Sequence, residues 1–461
     1  MTLIKSISGI RGTIGGQPGD NLSPLDVVKF VSAYSIMLKA KFPSTKLKVV
    51  VGRDARISGP MVNNIVIGTL NSMGINVIDL GLSTTPTVEM SVTDHKAHGG
   101  VILTASHNPK QWNALKLLNE KGEFINGKEG EELLEIAEKE NFEYTEVDEL
   151  GHLSHDYDAI KNHIQHILDL PLVDIDAISK AGFTVALDAV NSTGGISIIP
   201  LLEQLGVYNI VKLYTKPTGH FPHNPEPLPE HLTELSKAVI DNKADVGFVV
   251  DPDVDRLAIV MENGEMFNEE YTLVAVADYI LQHQKGNTVS NMSSTRALRD
   301  ITEKHGFSYS ASAVGEVNVV EMMRQTNAVI GGEGNGGIIY PSLHSGRDAL
   351  VGIALFLTYL AKRNIKVSEL RAEYPAYFIS KNKIQLEPKM NVDSILIAMA
   401  DKYNNEKVST IDGVKIDFSK SWVHLRKSNT EPIIRIYAEA LSMKEADELA
   451  EKIINDIKSL I

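Results

Sequence analysis

A strand, a turn of small residues and a helix stopped at a glycine recur three times along this chain, and that rhythm restricts the fold to sheets of largely parallel strands covered by helices. The clearest copy is LKVVVGRDARISGPMVNNIVIGTLNSMG at 47–74; FTVALDAVNSTGGISIIPLLEQLG at 183–206 and NTVSNMSSTRALRDITEKHG at 287–306 repeat its shape at low identity. Around the first copy, INVIDLGL and GGVILTAS read as strands and TPTVEMSVTDHKA as a helix, giving β-α-β-α-β. An earlier helix opens at Leu22-Ser23-Pro24, with Ser23 as N-cap, and runs to Phe42. The acidic stretch from 127 to Glu149 reads as a solvated helix and connector, and after about residue 370 short alternating strands, a hairpin signal at Asp412-Gly413 and a closing amphipathic helix mark a different style. The expected domains are 1–150, 151–257, 258–370 and 371–461, the first three α/β and the last a smaller α+β domain.

The 461 residues exceed what one hydrophobic core serves. A net charge of −14 repels nucleic acid and anionic membranes, and no Lys/Arg-rich run overrides it. An anionic ligand would need locally gathered cations. The opening MTLIKSISGIRG has no signal-peptide run, and the longest apolar stretch, VGIALFLTYLA, is too short to span a bilayer. With no cysteine, thiolate chemistry and disulfides are excluded, and a cytoplasmic protein is the expectation.

Four loops could carry chemistry. In VILTASHNPKQWNALK, a buried strand delivers Ser106 and His107 to its carboxyl end, where open α/β sheets place ligands. The G-x-S-x-G nucleophile pattern is absent, and a turn serine bonding to local backbone is the alternative; Asn108 and Pro109 favour a fixed, exposed hydroxyl. In VGFVVDPDVDRLAIVM, Asp251, Asp253 and Asp255 alternate between apolar runs, a cluster that a hard cation such as magnesium would stabilise. Glu262 stands at the twelfth position of an EF-hand register, but Arg256 replaces its required glycine and the flanks are strand-like.

VIGGEGNGGIIYP satisfies G-x-G-x-x-G, yet the strand-like IIYP leaves no helix N-terminus for a dinucleotide pyrophosphate. A tight glycine turn is one reading; Glu333 and Asn335 binding vicinal hydroxyls of a sugar is the other. In VHLRKSNTEPIIRIYAE, Arg426, Ser428, Asn429, Thr430 and Arg435 supply the gathered cations, with small donors between them suited to a phosphate dianion.

Together the four loops resemble the α-D-phosphohexomutase superfamily, enzymes that move phosphate between the 1 and 6 positions of hexoses, over nearly the whole chain. The motifs T-A-S-H-N-P and D-x-D-x-D-R carry the resemblance. It implies four domains around a central cleft. It further implies that Ser106 is phosphorylated in the resting enzyme and joins Asp251, Asp253 and Asp255 around Mg2+, with Lys116, Arg11, His107 and Arg256 as active-site groups. Glu333 and Asn335 would read sugar hydroxyls, and Arg426, Ser428, Asn429, Thr430 and Arg435 would hold phosphate. A hexose 1,6-bisphosphate would serve as activator and a small phosphosugar as substrate.

Two departures bear on the reaction. Many relatives read G-E-x-S-G-H in the sugar loop, and their histidine is a suggested proton carrier; here that position is Gly337 and the serine is Asn335. The G-E-G-N-G-G form resembles archaeal-type members and bacterial relatives assigned as phosphoglucosamine mutases. Glucosamine phosphate is therefore the expected substrate, with glucose or mannose phosphate next, and a metal-dependent sugar phosphatase or a non-catalytic sugar-phosphate binder as competing functions.

Overall fold

The computed structural model describes residues 2–6, 9–387, 390–427 and 433–460. They divide into two compact units, residues 1–272 with 335–370, and residues 273–334 with 371–461.

In the first unit, strands Gly99–Leu103 and Asn76–Leu82 flank Lys48–Arg53 in parallel, as the repeat requires. The helix Pro24–Lys41 begins with a capping box: Ser23 Oγ accepts from Asp26 N, while Ser23 N donates to Asp26 Oδ2 at 3.0 Å. Beyond the parallel strands the sheet departs from the expectation. Trp112–Leu118 lies antiparallel to Gly99–Leu103, and Gly9–Thr13 lies antiparallel to Trp112–Leu118. The reason is length: the loop 104–111 is too short for a crossover and allows only a reversal. That reversal carries Lys116 back along the strand that ends at the serine loop, where it pairs with Ile102.

A second sheet holds Thr184–Asp188, Asn209–Leu213 and Val246–Val250 in parallel, with Leu257–Met261 antiparallel to the last of these. The apolar stretch VGIALFLTYLA lies in the helix Ala349–Arg363, whose residues Ala349 to Leu360 are all buried. Phe356 stands edge-on to Phe248 and Phe267, at 6.3 and 5.5 Å between centroids. This segment is a core helix, and no described helix is long and apolar enough to cross a membrane.

In the second unit, Tyr309–Ser312 and Ala328–Glu333 flank Asn287–Asn291 in parallel. A five-stranded antiparallel sheet follows, in the order Phe378–Gln385, Ile433–Ala440, Trp422–Lys427, Val414–Asp417, Lys407–Ser409, and the helices Val392–Lys402 and Met443–Lys458 pack their apolar faces into its core. The hairpin forms at Asp412-Gly413; Gly413 has φ +69°, and a Cβ there would stand 2.1 Å from Leu425 O. Three α/β modules and a smaller α+β module are thus the architecture.

Candidate active site

The serine loop is held from beneath by a buried arginine. Thr104 Oγ1 donates to Asp54 Oδ2 at 2.7 Å and accepts from Ser106 N at 2.9 Å. Arg56 Nε donates to the same Asp54 oxygen at 2.9 Å, and both side chains are fully buried. Its other nitrogens donate to the carbonyls of Ser106, Asn108 at 2.7 Å, Pro109 at 2.8 Å and Trp112 at 3.1 Å. Ser106 adopts φ +48°, a left-handed backbone that costs a side-chain-bearing residue roughly 1–2 kcal/mol and that this scaffold over-determines. Its hydroxyl leaves the strand and donates to Asp251 Oδ2 at 2.6 Å.

The aspartates occupy the turn of the hairpin formed by Val246–Val250 and Leu257–Met261. Asp251 Oδ1 accepts from the backbone N–H groups of Asp255 and Arg256, both at 3.2 Å. Asp253 Oδ2 accepts from Thr85 Oγ1 at 2.6 Å and Lys116 Nζ at 2.7 Å, and Asp255 Oδ2 accepts from Arg347 Nη2 at 2.7 Å. The backbone is pinned as well, since Pro252 O accepts from the hydroxyls of Ser192 at 2.6 Å and Thr193 at 2.8 Å.

All three carboxylates are fully buried, with one oxygen from each inside a 4.8 Å cluster. Asp253 Oδ1 and Asp255 Oδ1 are buried with no hydrogen-bond partner. Arg256 Nε approaches Asp255 Oδ1 only to 3.9 Å, and two hard oxygens without hydrogen bonds beside a third carboxylate fit a small divalent cation, since leaving them so is costly. Titration follows the same electrostatics. Burial, then the charges of Asp255 and Asp253, raise Asp251 well above the ordinary carboxylate range. Burial also opposes the charge on Asp253, but Lys116 and the hydroxyl of Thr85 outweigh it and hold its carboxyl low. Lys116 in turn is disfavoured as a cation by burial, yet Asp253 and Asp255 raise its pKa.

His107 Nδ1 lies 3.4 Å from Ser106 Oγ, and its Nε2 is 4.0 Å from Glu226. Burial pushes its pKa down to about 2, and the charges of Arg256, Arg11 and Arg347 add to this against the pull of Asp253, so the imidazole is neutral. Arg256 also approaches Glu226, at 3.8 Å. Arg11 sits opposite Ala114 on the neighbouring strand. Asn335 Oδ1 accepts from Gly337 N at 3.2 Å, and Gly336 O accepts from Leu257 N at 3.1 Å, which sets this part of the glycine loop against the strand that follows Arg256. The loop continues as the strand Gly337–Ile339, so no helix N-terminus follows and a dinucleotide fingerprint is absent.

Glu333, Arg426 and Arg435 belong to the second unit. Glu333 ends its strand buried, accepting from Asn291 Nδ2 at 2.8 Å and Gly315 N at 3.0 Å. Arg426 and Arg435 are directly opposed on neighbouring strands, and Arg426 Nε is 2.9 Å from Asp412 Oδ2. Facing like charges destabilise a sheet unless anions answer them, and Asp412 answers that of Arg426. Ser428, Asn429 and Thr430 lie outside the described residues.

In the same unit, burial pushes Lys415 down to about 8, against the pull of Asp417 and Glu439, while its ammonium donates to Met292 O at 2.7 Å. Between that value and the ordinary 10.5, the unfolded chain carries the proton and the folded chain does not. Stability will therefore rise as pH rises through this window. Comparing thermal melts of the protein and its Lys415→Met variant across it tests this: the rise should be present in the first and absent from the second.

Three residues that the motifs did not reveal complete the arrangement: Arg56 under the serine loop, Thr85 on Asp253 and Arg347 on Asp255. The one local signal was the pair Asp54 and Arg56 at the carboxyl end of a buried strand, where charges need partners.

Models of the phosphoglucomutase/phosphomannomutase family match the chain in order. Alpha/beta/alpha domain I covers residues 3–144, domain II 161–264, domain III 268–377, and the C-terminal domain 382–456. A phosphoglucomutase/phosphomannomutase of Thermococcus kodakarensis is 36% identical over 445 residues, covering 95% of this chain and 96% of its own. A phosphoglucosamine/phosphogalactosamine mutase of Sulfurisphaera tokodaii is 31% identical over 98% of both chains. The crystal structure of a phosphoglucomutase/phosphomannomutase family protein from Burkholderia thailandensis superposes with a TM-score of 0.85 at 25% identity, covering 99% of this chain and 98% of its own. With all four domains matched along its length, the chain belongs to the phosphoglucomutase/phosphomannomutase family of phosphate-transferring mutases.

Proposed function

We propose that this phosphohexomutase interconverts hexose 6-phosphate and hexose 1-phosphate by passing phosphate through Ser106, with glucosamine phosphate as its preferred substrate. The observation that carries the reading is the Ser106 hydroxyl, fixed in a left-handed backbone and 2.6 Å from Asp251 beside two buried carboxylate oxygens that accept no hydrogen bond. In the resting enzyme a phosphoryl group on Ser106 Oγ takes the place of that hydroxyl. Asp251, Asp253 and Asp255, with a phosphoryl oxygen on Ser106, would hold magnesium, which supplies charge neutralisation as phosphate passes between oxygens.

Transfer breaks the bond from phosphorus to Ser106 Oγ and forms one to O6 of a hexose 1-phosphate, giving the 1,6-bisphosphate. The sugar then turns over, and the phosphate on the other carbon returns to Ser106. Lys116 is the candidate for assisting proton transfer from the accepting hydroxyl; Asp253 and Asp255 hold it as the cation, so it can take that proton only after its own has left. Neutral His107 stands beside the nucleophile without adding positive charge. Arg11 and Arg256 bring cationic charge to the same centre. Glu333 and Asn335 would bind sugar hydroxyls, and Arg426, Ser428, Asn429, Thr430 and Arg435 the phosphate that is not reacting. The paired arginines Arg426 and Arg435 support that assignment.

The expectation of glucosamine phosphate rests on the G-E-G-N-G-G loop and on the activity in the name of the Sulfurisphaera tokodaii relative; the name of the Thermococcus kodakarensis relative makes glucose and mannose phosphates the comparison substrates. The test is intact mass with peptide mapping across residues 101–116, before and after incubation with glucose 1,6-bisphosphate and magnesium. One phosphoryl group on Ser106 is the expected result. No modification under either condition would overturn the mechanism in favour of a sugar-phosphate binder, and steady release of inorganic phosphate without isomerised sugar would mark a phosphatase.

A further inference from the structure

Gly337 opens a short strand, and the chain returns beside it through the bridge between Ile339 and Arg347, with Asp348 N bonded to Ile338 O at 2.8 Å. On that return Arg347 passes directly over the glycine. A Cβ at position 337 would stand 2.3 Å from Arg347 Cδ and 3.0 Å from its Cγ. Beyond the glycine, the guanidinium donates to Asp255 Oδ2 at 2.7 Å, while Asp255 Oδ1 accepts no hydrogen bond and has Arg256 Nε 3.9 Å away. The backbone cannot retreat to make room, because Gly336, at φ +83°, lies so close to the aspartate hairpin that a Cβ on it would stand 2.2 Å from Leu257 O.

We infer that Arg347 is a positioning residue for Asp255, and that position 337 carries no side chain because this arginine must cross it. The inference rests on the magnesium reading of the aspartates. By taking one oxygen of Asp255, the guanidinium turns the other toward the cation site and stops the carboxylate from closing over the ion with both. Because an arginine does not deprotonate, the space above residue 337 holds a fixed cation and supplies no proton carrier. Proton transfer is left to groups on other elements.

Four variants test this: Arg347→Ala, Arg347→Lys, Gly337→Ala and the Gly337→Ala/Arg347→Ala double substitution. Readouts are magnesium binding by calorimetry on chelator-treated protein, thermal melting, and hexose phosphate turnover. Arg347→Ala is expected to bind magnesium about tenfold more tightly, because a cation next to the ion is gone. Its turnover should nonetheless fall about a hundredfold, because Asp255 is no longer held. A merely structural arginine would not separate the two. Arg347→Lys should recover little of the turnover, since an ammonium lacks the fork that fixes a carboxylate. Gly337→Ala should lower the melting temperature by displacing Arg347, and should cost nothing further once Arg347 is already alanine. Unchanged turnover in Arg347→Ala, magnesium binding that weakens in step with turnover, or additive losses in the double variant would each overturn the proposal. If the unmodified protein takes up no magnesium, the metal-site reading itself falls, and the melting cycle alone decides whether Gly337 and Arg347 act as a pair.

Discussion

Replacing Ser106 by alanine will cost mutase turnover at least about ten-thousand-fold, the scale on which removal of a covalent nucleophile is felt when the rest of a site is intact. The substitution deletes one oxygen and leaves the scaffold in place. The carbonyl of residue 106 still accepts from Arg56, and the Asp54–Thr104 bond below it is untouched. The left-handed backbone is no harder for alanine than for serine, so fold and melting temperature should change little. Magnesium uptake should survive, because the three aspartates retain their bonds to backbone N–H groups, Thr85, Lys116 and Arg347. Turnover, melting and metal uptake measured on one preparation decide the matter: more than about one per cent residual turnover would mean that phosphate does not pass through this residue.

The largest effect on stability is expected at Arg56. Alanine there strips four carbonyls of a buried partner and leaves Asp54 buried without its counter-ion. Burial already raises the Asp54 carboxyl against the pull of Arg56. Losing one partner of a buried ion pair costs about 3–5 kcal/mol, and unmet carbonyls add to it. Arg56→Lys should recover only part, since an ammonium cannot reach four carbonyls spread over a loop. Thermal melting gives the global loss, and limited trypsin digestion gives the local one. Lys110 is exposed within the loop that Arg56 ties down, so cleavage after it should accelerate in Arg56→Ala well before the protein melts. A variant that melts and digests like the unmodified protein would show that the four bonds contribute nothing.

What the sequence made legible was local. The N-cap at Ser23, the hairpin at Asp412-Gly413, the aspartate turn between apolar strands and the strand after the glycine loop were each legible because neighbouring residues suffice to specify them. Trp112–Leu118 was not anticipated as a strand: Asn113 and Lys116 interrupt its apolar pattern, and both are buried because they meet partners in the fold, Ser58 for one and Asp253 for the other. Arg56, Thr85 and Arg347 escaped for a related reason. Each acts on a loop far along the chain, 50 or more residues away for Arg56 and Ser106, 168 for Thr85 and Asp253, and 92 for Arg347 and Asp255. Gly337 shows the limit most plainly. The sequence revealed that a side chain was missing there, and only the fold revealed what stands in its place.

Residues 335–370 belong to the first unit although residues 273–334, which precede them, belong to the second. This interruption sets a timetable for synthesis. At about 5–20 residues per second, Arg347 is made roughly 5–20 seconds after Asp255, the aspartate it must hold. Throughout that interval Phe248 and Phe267 also lack the apolar helix that carries Phe356. A nascent chain of about 270 residues is therefore an incomplete body with an uncovered core. The segment that closes that core also delivers the arginine, so the carboxylate cluster is completed in the same event that shields the aromatic rings from the surrounding water.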